Sequence, residues 1–145
     1  MAPAILSATA GATRVITLAP NLTEIVFAIG AGDHIVATDD FSDSPAAAKK
    51  LPKVGGQEPS IERIVAAQAD LVLASASANV TALRAAHLPL EVIKTDRLDE
   101  VAPVMLQLGA LLHAPHASEA ARAVRDGLAK EHRVRKHPPR ILFAA

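Results

Sequence analysis

Residues 14–33 read RVITLAPNLTEIVFAIGAGD, and the order of their patterns indicates the architecture of the chain. The run from Arg14 to Leu18 is rich in β-branched and aliphatic side chains, which favour a strand. Ala19-Pro20 interrupts the run, and the apolar spacing from Asn21 to Ile29 is typical of a helix that Gly30 ends. Strand, tight turn and helix form the first half of an α/β unit, and in open α/β sheets this turn is where ligands bind.

The rest of the chain continues to alternate strand and helix. We predict further strands at His34–Thr38, Leu71–Ala74 and Leu90–Thr95, and further helices at Ser60–Gln68, Asn79–Ala86, Asp96–Leu112 and Ser118–Lys136, with Ser60 and Ser118 as N-caps. Residues 39–56 contain proline and glycine breaks and are predicted as loop, with one helical turn at residues 46–50. The predicted fold class is therefore α/β, a Rossmann-like parallel sheet with helices on both faces.

Composition excludes several classes of function. Of the 145 residues, 50% are hydrophobic, and 15 basic residues balance 15 acidic ones. This balance produces no net field that would favour nucleic acid, so we expect no nucleic-acid partner. The absence of cysteine excludes disulfides, thiolate metal sites and cysteine catalysis. The six histidines are dispersed, with no acidic neighbour at metal-ligand spacing, and we expect neither a metal site nor a cofactor.

Polar and glycine-rich segments follow the predicted strands and are candidates for a binding edge, because the carboxyl ends of parallel strands meet at one edge. They are Ala19, Pro20 and Asn21 after the first strand, Asp40, Phe41 and Ser44 after the second, Gly55, Gly56 and Gln57 in the next loop, and Ser75 after the third. Amide groups at the start of the Asn21 helix would point at a polar or anionic ligand group. Purely structural roles would also explain these residues. Asn21 and Glu24 fit a capping box, Asp and Ser favour turns, and glycine permits tight turns.

The same segments carry a resemblance to a known family. Residues 14–33, followed by FSDSP at Phe41–Pro45 and LPKVGG at Leu51–Gly56, resemble the amino-terminal lobe of the helical-backbone substrate-binding proteins of ABC importers. These class III periplasmic binding proteins carry cobalamin, haem and iron-siderophores. In the family, two α/β lobes are joined by one long helix, and the ligand lies between them. The resemblance implies that the candidate residues bind a cobalamin-like or iron-chelate ligand in such a cleft, without catalytic residues, outside the cytoplasm.

The resemblance assigns further roles to single residues. Glu62, in the first turn of the Ser60 helix, matches an acidic residue that pairs with arginines of the membrane permease, so we expect permease docking there. The positive end of the helix would by itself also favour a carboxylate at this position. Cobalamin-binding relatives commonly have an aromatic residue where this chain has Ser44, which leaves Phe41 as the expected aromatic ligand contact. Phe27 is expected in the core.

The resemblance also divides the chain. We expect a flexible amino-terminal segment at residues 1–13, the ligand-binding lobe at 14–117, the interlobe helix at 118–137 and the start of a truncated second lobe at 138–145. The amino-terminal segment has no basic residue, so it is not a complete secretory signal. Residues 141–145 match the first strand of the second lobe. An uncovered apolar strand invites pairing, and we hypothesise self-association through it or its addition to this lobe's sheet.

Two other classes of function stay open. A small α/β nucleotide-binding or enzymatic module would need a phosphate loop, a nucleophile motif or a tuned acid/base pair, and the sequence shows none of them. Gly30 and Gly32 follow a helix instead of preceding one, so they do not form a phosphate loop. An interaction domain without a ligand is the second alternative, and ligand screening separates it from a transport receptor.

Overall fold

The computed structural model describes residues 11–76 and 80–136, with side chains described through Glu131. The strands are Val15–Thr17 (β1), Ile35–Thr38 (β2), Leu71–Ser75 (β3) and Leu90–Ile93 (β4). The α-helices are Pro20–Ala28 (α1), Ile61–Ala66 (α2), Thr81–Ala85 (α3), Val101–Leu112 (α4) and Ala117–Lys136 (α5), and short 3₁₀ helices lie at Gly32–His34, Ala46–Lys50 and Leu98–Glu100. The predicted alternation of strand and helix is confirmed.

The four strands are all parallel and lie in the order β2-β1-β3-β4. β1 is central, because Val15 pairs with Ile35 of β2 on one side and with Leu71 of β3 on the other. The chain passes from β1 to β2 and then returns across β1 to reach β3. This reversal is a topological switch point, which opens a crevice at the carboxyl ends of the strands.

Helices cover both faces of the sheet, as predicted. Successive strand side chains point to opposite faces, so Val15 belongs to one hydrophobic cluster and Ile16 to the other. α1, α4 and α5 complete the first cluster, and Phe27 of α1 packs against it, half-buried. The second cluster is completed by α2 and α3, whose Ile64 and Leu83 are buried. The strands are apolar because both faces of the sheet lie against these helices.

The start of α1 differs from the prediction. The helix begins at Pro20, and Ala19 is its N-cap without a side-chain hydrogen bond, so the predicted capping box of Asn21 and Glu24 is wrong. Proline is suited to the first helical position, because its fixed φ is helical and its missing N–H has no partner to lose. The predicted end of the helix is confirmed: Gly30 has φ +87° and its N–H donates to the carbonyl of Phe27 at 3.1 Å.

Two more helix starts also differ, and one cap is confirmed. α4 begins after the 3₁₀ turn at Leu98–Glu100 and not at Asp96. α5 begins at Ala117, so Ser118 lies inside the helix and is not its cap. Ser60 caps α2, because its hydroxyl accepts a hydrogen bond from the Arg63 backbone N–H at 3.3 Å.

Residues 11–13 are packed against the lobe, which corrects the prediction of a flexible segment through residue 13. Ala12 is buried, and its N–H donates to the carbonyl of Leu111 at 3.0 Å. The carboxylate of Asp70 accepts from the backbone N–H of Thr13 at 3.1 Å. The predictions for residues 1–10, for the Asn79 helix start and for the strand at 141–145 lie outside the described residues.

Candidate functional site

The segments that follow the four strands surround a cavity of about 650 Å³ at the carboxyl edge of the sheet. Its lining comprises Leu18, Ala19, Pro20, Asn21, Asp39, Phe41, Gly56, Gln57, Glu58, Pro59, Ser75, Leu83, Thr95 and Asp96. Half of these residues have polar side chains and half are apolar or glycine, and a concave site of this size is typical of small-molecule binding.

Most of the residues predicted from the sequence are brought together in this lining. They are Ala19, Pro20, Asn21, Phe41, Gly56, Gln57 and Ser75. Asp40, Gly55 and Ser44 do not line the cavity, and their role as ligand contacts stays a prediction. Asp40 and Gly55 instead connect two loops: the Asp40 N–H donates to the Gly55 carbonyl at 2.9 Å, and the Gly55 N–H donates to the Asp40 carboxylate at 3.2 Å. Ser44 is exposed.

The turn after β1 forms one wall of the cavity. The Asn21 side chain accepts from the backbone N–H of Leu22 at 3.0 Å and donates to the hydroxyl of Thr95, which joins the turn to the loop after β4. The N–H of Thr23 donates to the Ala19 carbonyl at 3.1 Å. Because Pro20 has no N–H, these contacts leave the amide of Asn21 as the unoccupied donor among the first four residues of α1. The expectation that several helix amides face the ligand is therefore wrong.

A buried chain of polar groups fixes the loop after β2. Asp39 is 1% exposed, and its carboxylate accepts from the Ser42 hydroxyl and, at 3.1 Å, from the backbone N–H of Phe41. The Ser42 hydroxyl lies 2.7 Å from that of Thr23, which lies 2.6 Å from that of Thr17. A carboxylate only accepts hydrogen bonds, so the Ser42 hydroxyl donates to Asp39, while the Thr23 hydroxyl also lies 3.2 Å from the Ala19 carbonyl. The network holds the backbone that presents Phe41.

Sequence reasoning missed most of this network. Asp39 adjoins the predicted site residue Asp40, and Thr23 lies two positions after Asn21, but a loop sequence does not show which of two neighbouring carboxylates is turned inward. The available signal was the cluster of hydroxyl residues after β1 and β2, which is incompatible with burial unless the groups pair with one another.

Phe41 presents an aromatic ring at the cavity and is 59% exposed. A Cβ atom at Gly56 would lie 3.2 Å from two carbon atoms of this ring, so the bare glycine backbone allows the ring to lie on the loop. The ring thus lies against Gly56, and most of its surface is open to the cavity and solvent. An exposed aromatic face beside a cavity is suited to stacking on a planar apolar ligand.

The charges that line the cavity are all negative. Asp39, Glu58 and Asp96 contribute to the lining, whereas no lysine, arginine or histidine is found among its described residues. The ammonium of Lys53 is directed at the protein: it donates to the Thr38 hydroxyl at 2.9 Å and to backbone carbonyls, among them that of Ser42 at 2.6 Å.

Two other predicted features are placed by the structure. Glu62 is exposed in the first turn of α2 and is not part of the cavity lining. Across residues 11–76 and 80–136, no cluster of three histidine, aspartate or glutamate side chains is arranged to hold a metal ion. What this site offers chemically is enclosure of a ligand by apolar, aromatic and hydrogen-bond-accepting groups.

A comparison with protein families gives this arrangement a context. A family model described as periplasmic binding protein matches residues 15–141. The chain belongs to the periplasmic binding protein family. The resemblance recognised in residues 14–56 is thereby confirmed, and the α/β lobe corresponds to the amino-terminal lobe of class III periplasmic binding proteins. The family consists of substrate-binding transport proteins.

Relatives within the periplasmic binding protein family resemble the chain over part of their length. A Vitamin B12-binding protein of Yersinia pestis is 36% identical over 117 residues, which are 77% of this chain and 41% of that protein. The periplasmic Vitamin B12 binding protein BtuF of Vibrio cholerae superposes with a TM-score of 0.76 at 33% identity, covering 82% of this chain and 49% of BtuF. The periplasmic heme-binding protein RhuT of Roseiflexus sp. RS-1 superposes with a TM-score of 0.71 at 29% identity, covering 89% of this chain and 52% of RhuT.

The chain thus spans about two fifths to one half of the length of these relatives. The part of the molecule that the structure describes contains no helix with the length and apolar character that a bilayer crossing requires.

Proposed function

We propose that this chain is the amino-terminal ligand-binding lobe of a substrate-binding protein of an ABC importer. Its ligand is a cobalamin-like molecule or an iron chelate, held in a cleft between this lobe and a second one. The observation that carries the proposal is the shared cavity at the strand ends, with Phe41 exposed beside it. The names of BtuF and RhuT, one for vitamin B12 and one for heme, support a large planar metal chelate as the ligand class.

The proposed mechanism is capture by enclosure, with no chemical step. The lobe supplies the turn after β1, the loop of Phe41 and the Gly56–Pro59 segment as one wall of the cleft. In the proposed arrangement residues 14–117 form the lobe, residues 118–137 are the interlobe helix, and residues 138–145 begin the second lobe. The complete receptor would act outside the cytoplasm and deliver its ligand to a membrane permease, with Glu62 at the docking surface.

The 145-residue chain should bind its ligand weakly by itself, because one wall supplies about half of the contacts. The ligand still loses its translational and rotational entropy on binding, which opposes association. Isothermal titration of the chain with cyanocobalamin, cobinamide, haem and a ferric siderophore tests this. We expect one ligand class to bind, with a dissociation constant above about 10 μM, which corresponds to roughly −7 kcal/mol. Submicromolar affinity would contradict the half-site, and no binding by any member of the panel at millimolar concentration would favour an interaction domain.

A further inference from the structure

We propose that the cavity selects its ligand by charge: it favours a chelate with carboxamides at its periphery and disfavours one with carboxylates. This inference rests on the proposed function and goes beyond it, because it names the chemistry that this wall of the cleft accepts. The cavity itself is the site described above, and its charges decide which ligand it takes.

Two of the acidic side chains in the lining are available to a ligand. Glu58 and Asp96 are exposed, and neither side chain takes part in a hydrogen bond or ion pair within residues 11–76 and 80–136. Asp39 adds a third negative charge, although its oxygens already accept from Ser42 and Phe41. Asp40 lies just behind the lining, with one carboxylate oxygen 3.9 Å from the position of a Cβ on Gly56.

The basic side chains of Lys53, Arg97 and Lys94 make contacts with other groups of the protein. Lys53 donates to the Thr38 hydroxyl and the Ser42 carbonyl. Arg97, which follows Asp96, forms two hydrogen bonds of 3.1 Å with Asp99. Lys94 lies 3.9 Å from the carboxylate of Glu100. Residues 77–79, which follow β3, are Ser, Ala and Asn and carry no charge. No neutralising partner for Glu58 or Asp96 is therefore present among the described residues.

The amino-terminal end of α1 does not provide an anion-binding site that would offset these negative charges. Helix N-termini bind anions through several unpaired N–H groups. Here Pro20 has no N–H, the Asn21 side chain occupies that of Leu22, and the Ala19 carbonyl occupies that of Thr23. The wall therefore presents hydrogen-bond acceptors and negative charge, with no positively charged donor among its described residues.

Such a wall distinguishes amides from carboxylates. A carboxamide NH₂ donates to a carboxylate, whereas a ligand carboxylate has no proton to donate and is repelled by a like charge. The periphery of the cobalamin corrin ring carries carboxamides, and haem carries two propionates. The same ring system with its propionamides hydrolysed to propionates gives a matched pair of ligands that differ in this chemistry alone.

The test compares cyanocobalamin with its derivative in which the propionamides are hydrolysed, using NMR titrations of the 145-residue chain. We expect the hydrolysed derivative to bind about tenfold more weakly or worse, because like-charge juxtaposition is strongly unfavourable. In the double variant Glu58→Gln, Asp96→Asn the difference should shrink by at least about threefold. Asp126→Asn, which neutralises an exposed carboxylate on α5 outside the lining, is the matched control and should preserve it.

The outcomes separate the two proposals. If cyanocobalamin binds and the hydrolysed derivative binds equally well, or if the double variant keeps the full difference, charge selection is wrong while the binding function stands. If neither form binds but haem or the ferric siderophore does, charge selection is wrong while the binding function stands; if no member of the panel binds, the proposed function fails and charge selection fails with it. Both substituted side chains are exposed, and the amide spectrum of each variant verifies that the fold is retained.

Discussion

Asp39 illustrates how a single buried residue shapes the site. Its carboxylate collects hydrogen bonds from Ser42 and from the backbone of Phe41, and Ser42 extends the network to Thr23. Every group in this chain depends on its neighbour, because a buried carboxylate or hydroxyl without a partner is strongly destabilising. The loop of Phe41 is therefore positioned by groups on β1, α1 and the end of β2.

We predict that Ser42→Ala lowers the free energy of unfolding by about 1–3 kcal/mol, because it leaves one buried carboxylate oxygen of Asp39 without its hydrogen-bond donor. Urea denaturation followed by circular dichroism measures this change. Ser118→Ala is the matched control, because Ser118 is exposed in α5, and it should alter stability by less than about 0.5 kcal/mol. Equal effects of the two substitutions would show that the hydroxyl network contributes nothing.

At the scale of elements, the close approach of α4 and α5 depends on one glycine. A Cβ atom at Gly109 of α4 would lie 2.3 Å from the Cβ of Ala117, where α5 begins. Both residues are buried, so the helices would have to separate to admit a methyl group. Gly127 lies inside α5 with open space around its Cβ position.

We predict opposite effects of the same substitution at these two positions. Gly109→Ala should destabilise the lobe by about 1–3 kcal/mol, because it overpacks the contact between the helices. Gly127→Ala should stabilise it by roughly 0.5–1 kcal/mol, because alanine restricts the unfolded chain and favours a helix. Thermal unfolding of both variants checks the pair. A stabilising Gly109→Ala would contradict the described packing of α4 on α5.

Elements that local sequence determines were predicted correctly, whereas the helix starts that depend on tertiary contacts were not. The parallel α/β order was predictable because β1 and β3 lie in short, mainly apolar runs separated by helical patterns. The starts of α1 and α5 were not, since Asn21 and Ser118 have good capping chemistry, yet the helices begin at Pro20 and Ala117. In the site, position after a strand predicted the shared cavity.

Side-chain direction within the site loops was not predictable. Asp39 turns inward and Asp40 outward, although the two are identical neighbours in the sequence. The difference arises because the hydroxyls of Thr23 and Ser42 lie beneath the loop, a contact that forms only once β1, α1 and β2 are assembled.

At the scale of the whole molecule, the chain is one lobe of a family whose members are about twice its length. The cavity and Glu62 are separate surfaces of this lobe, because Glu62 is exposed on α2 and does not line the cavity. Under the proposed function, one surface contacts the ligand and the other the permease. The two activities should therefore be separable by mutation.

We predict that Glu62→Lys, placed in a two-lobed receptor that contains this lobe, abolishes transport and leaves ligand affinity unchanged within about twofold, because the reversed charge repels a basic docking surface. Uptake assays and ligand titration measure the two properties. Glu131→Lys, an equivalent charge reversal at an exposed position of α5, is the control and should retain transport. Normal transport by Glu62→Lys would remove this residue from the docking surface.

The central claim is that the strand-end cavity binds the ligand, and a residue-resolved NMR titration of the 145-residue chain with cyanocobalamin tests it most directly. We predict that the largest amide shifts occur at Ala19, Asn21, Phe41 and Gly56, and that Phe41→Ala reduces them at least about threefold, while Val65→Ala, which truncates an exposed residue outside the lining, does not. Shifts concentrated on α5 or on the exposed face of α2, with the cavity residues unmoved, would contradict the account.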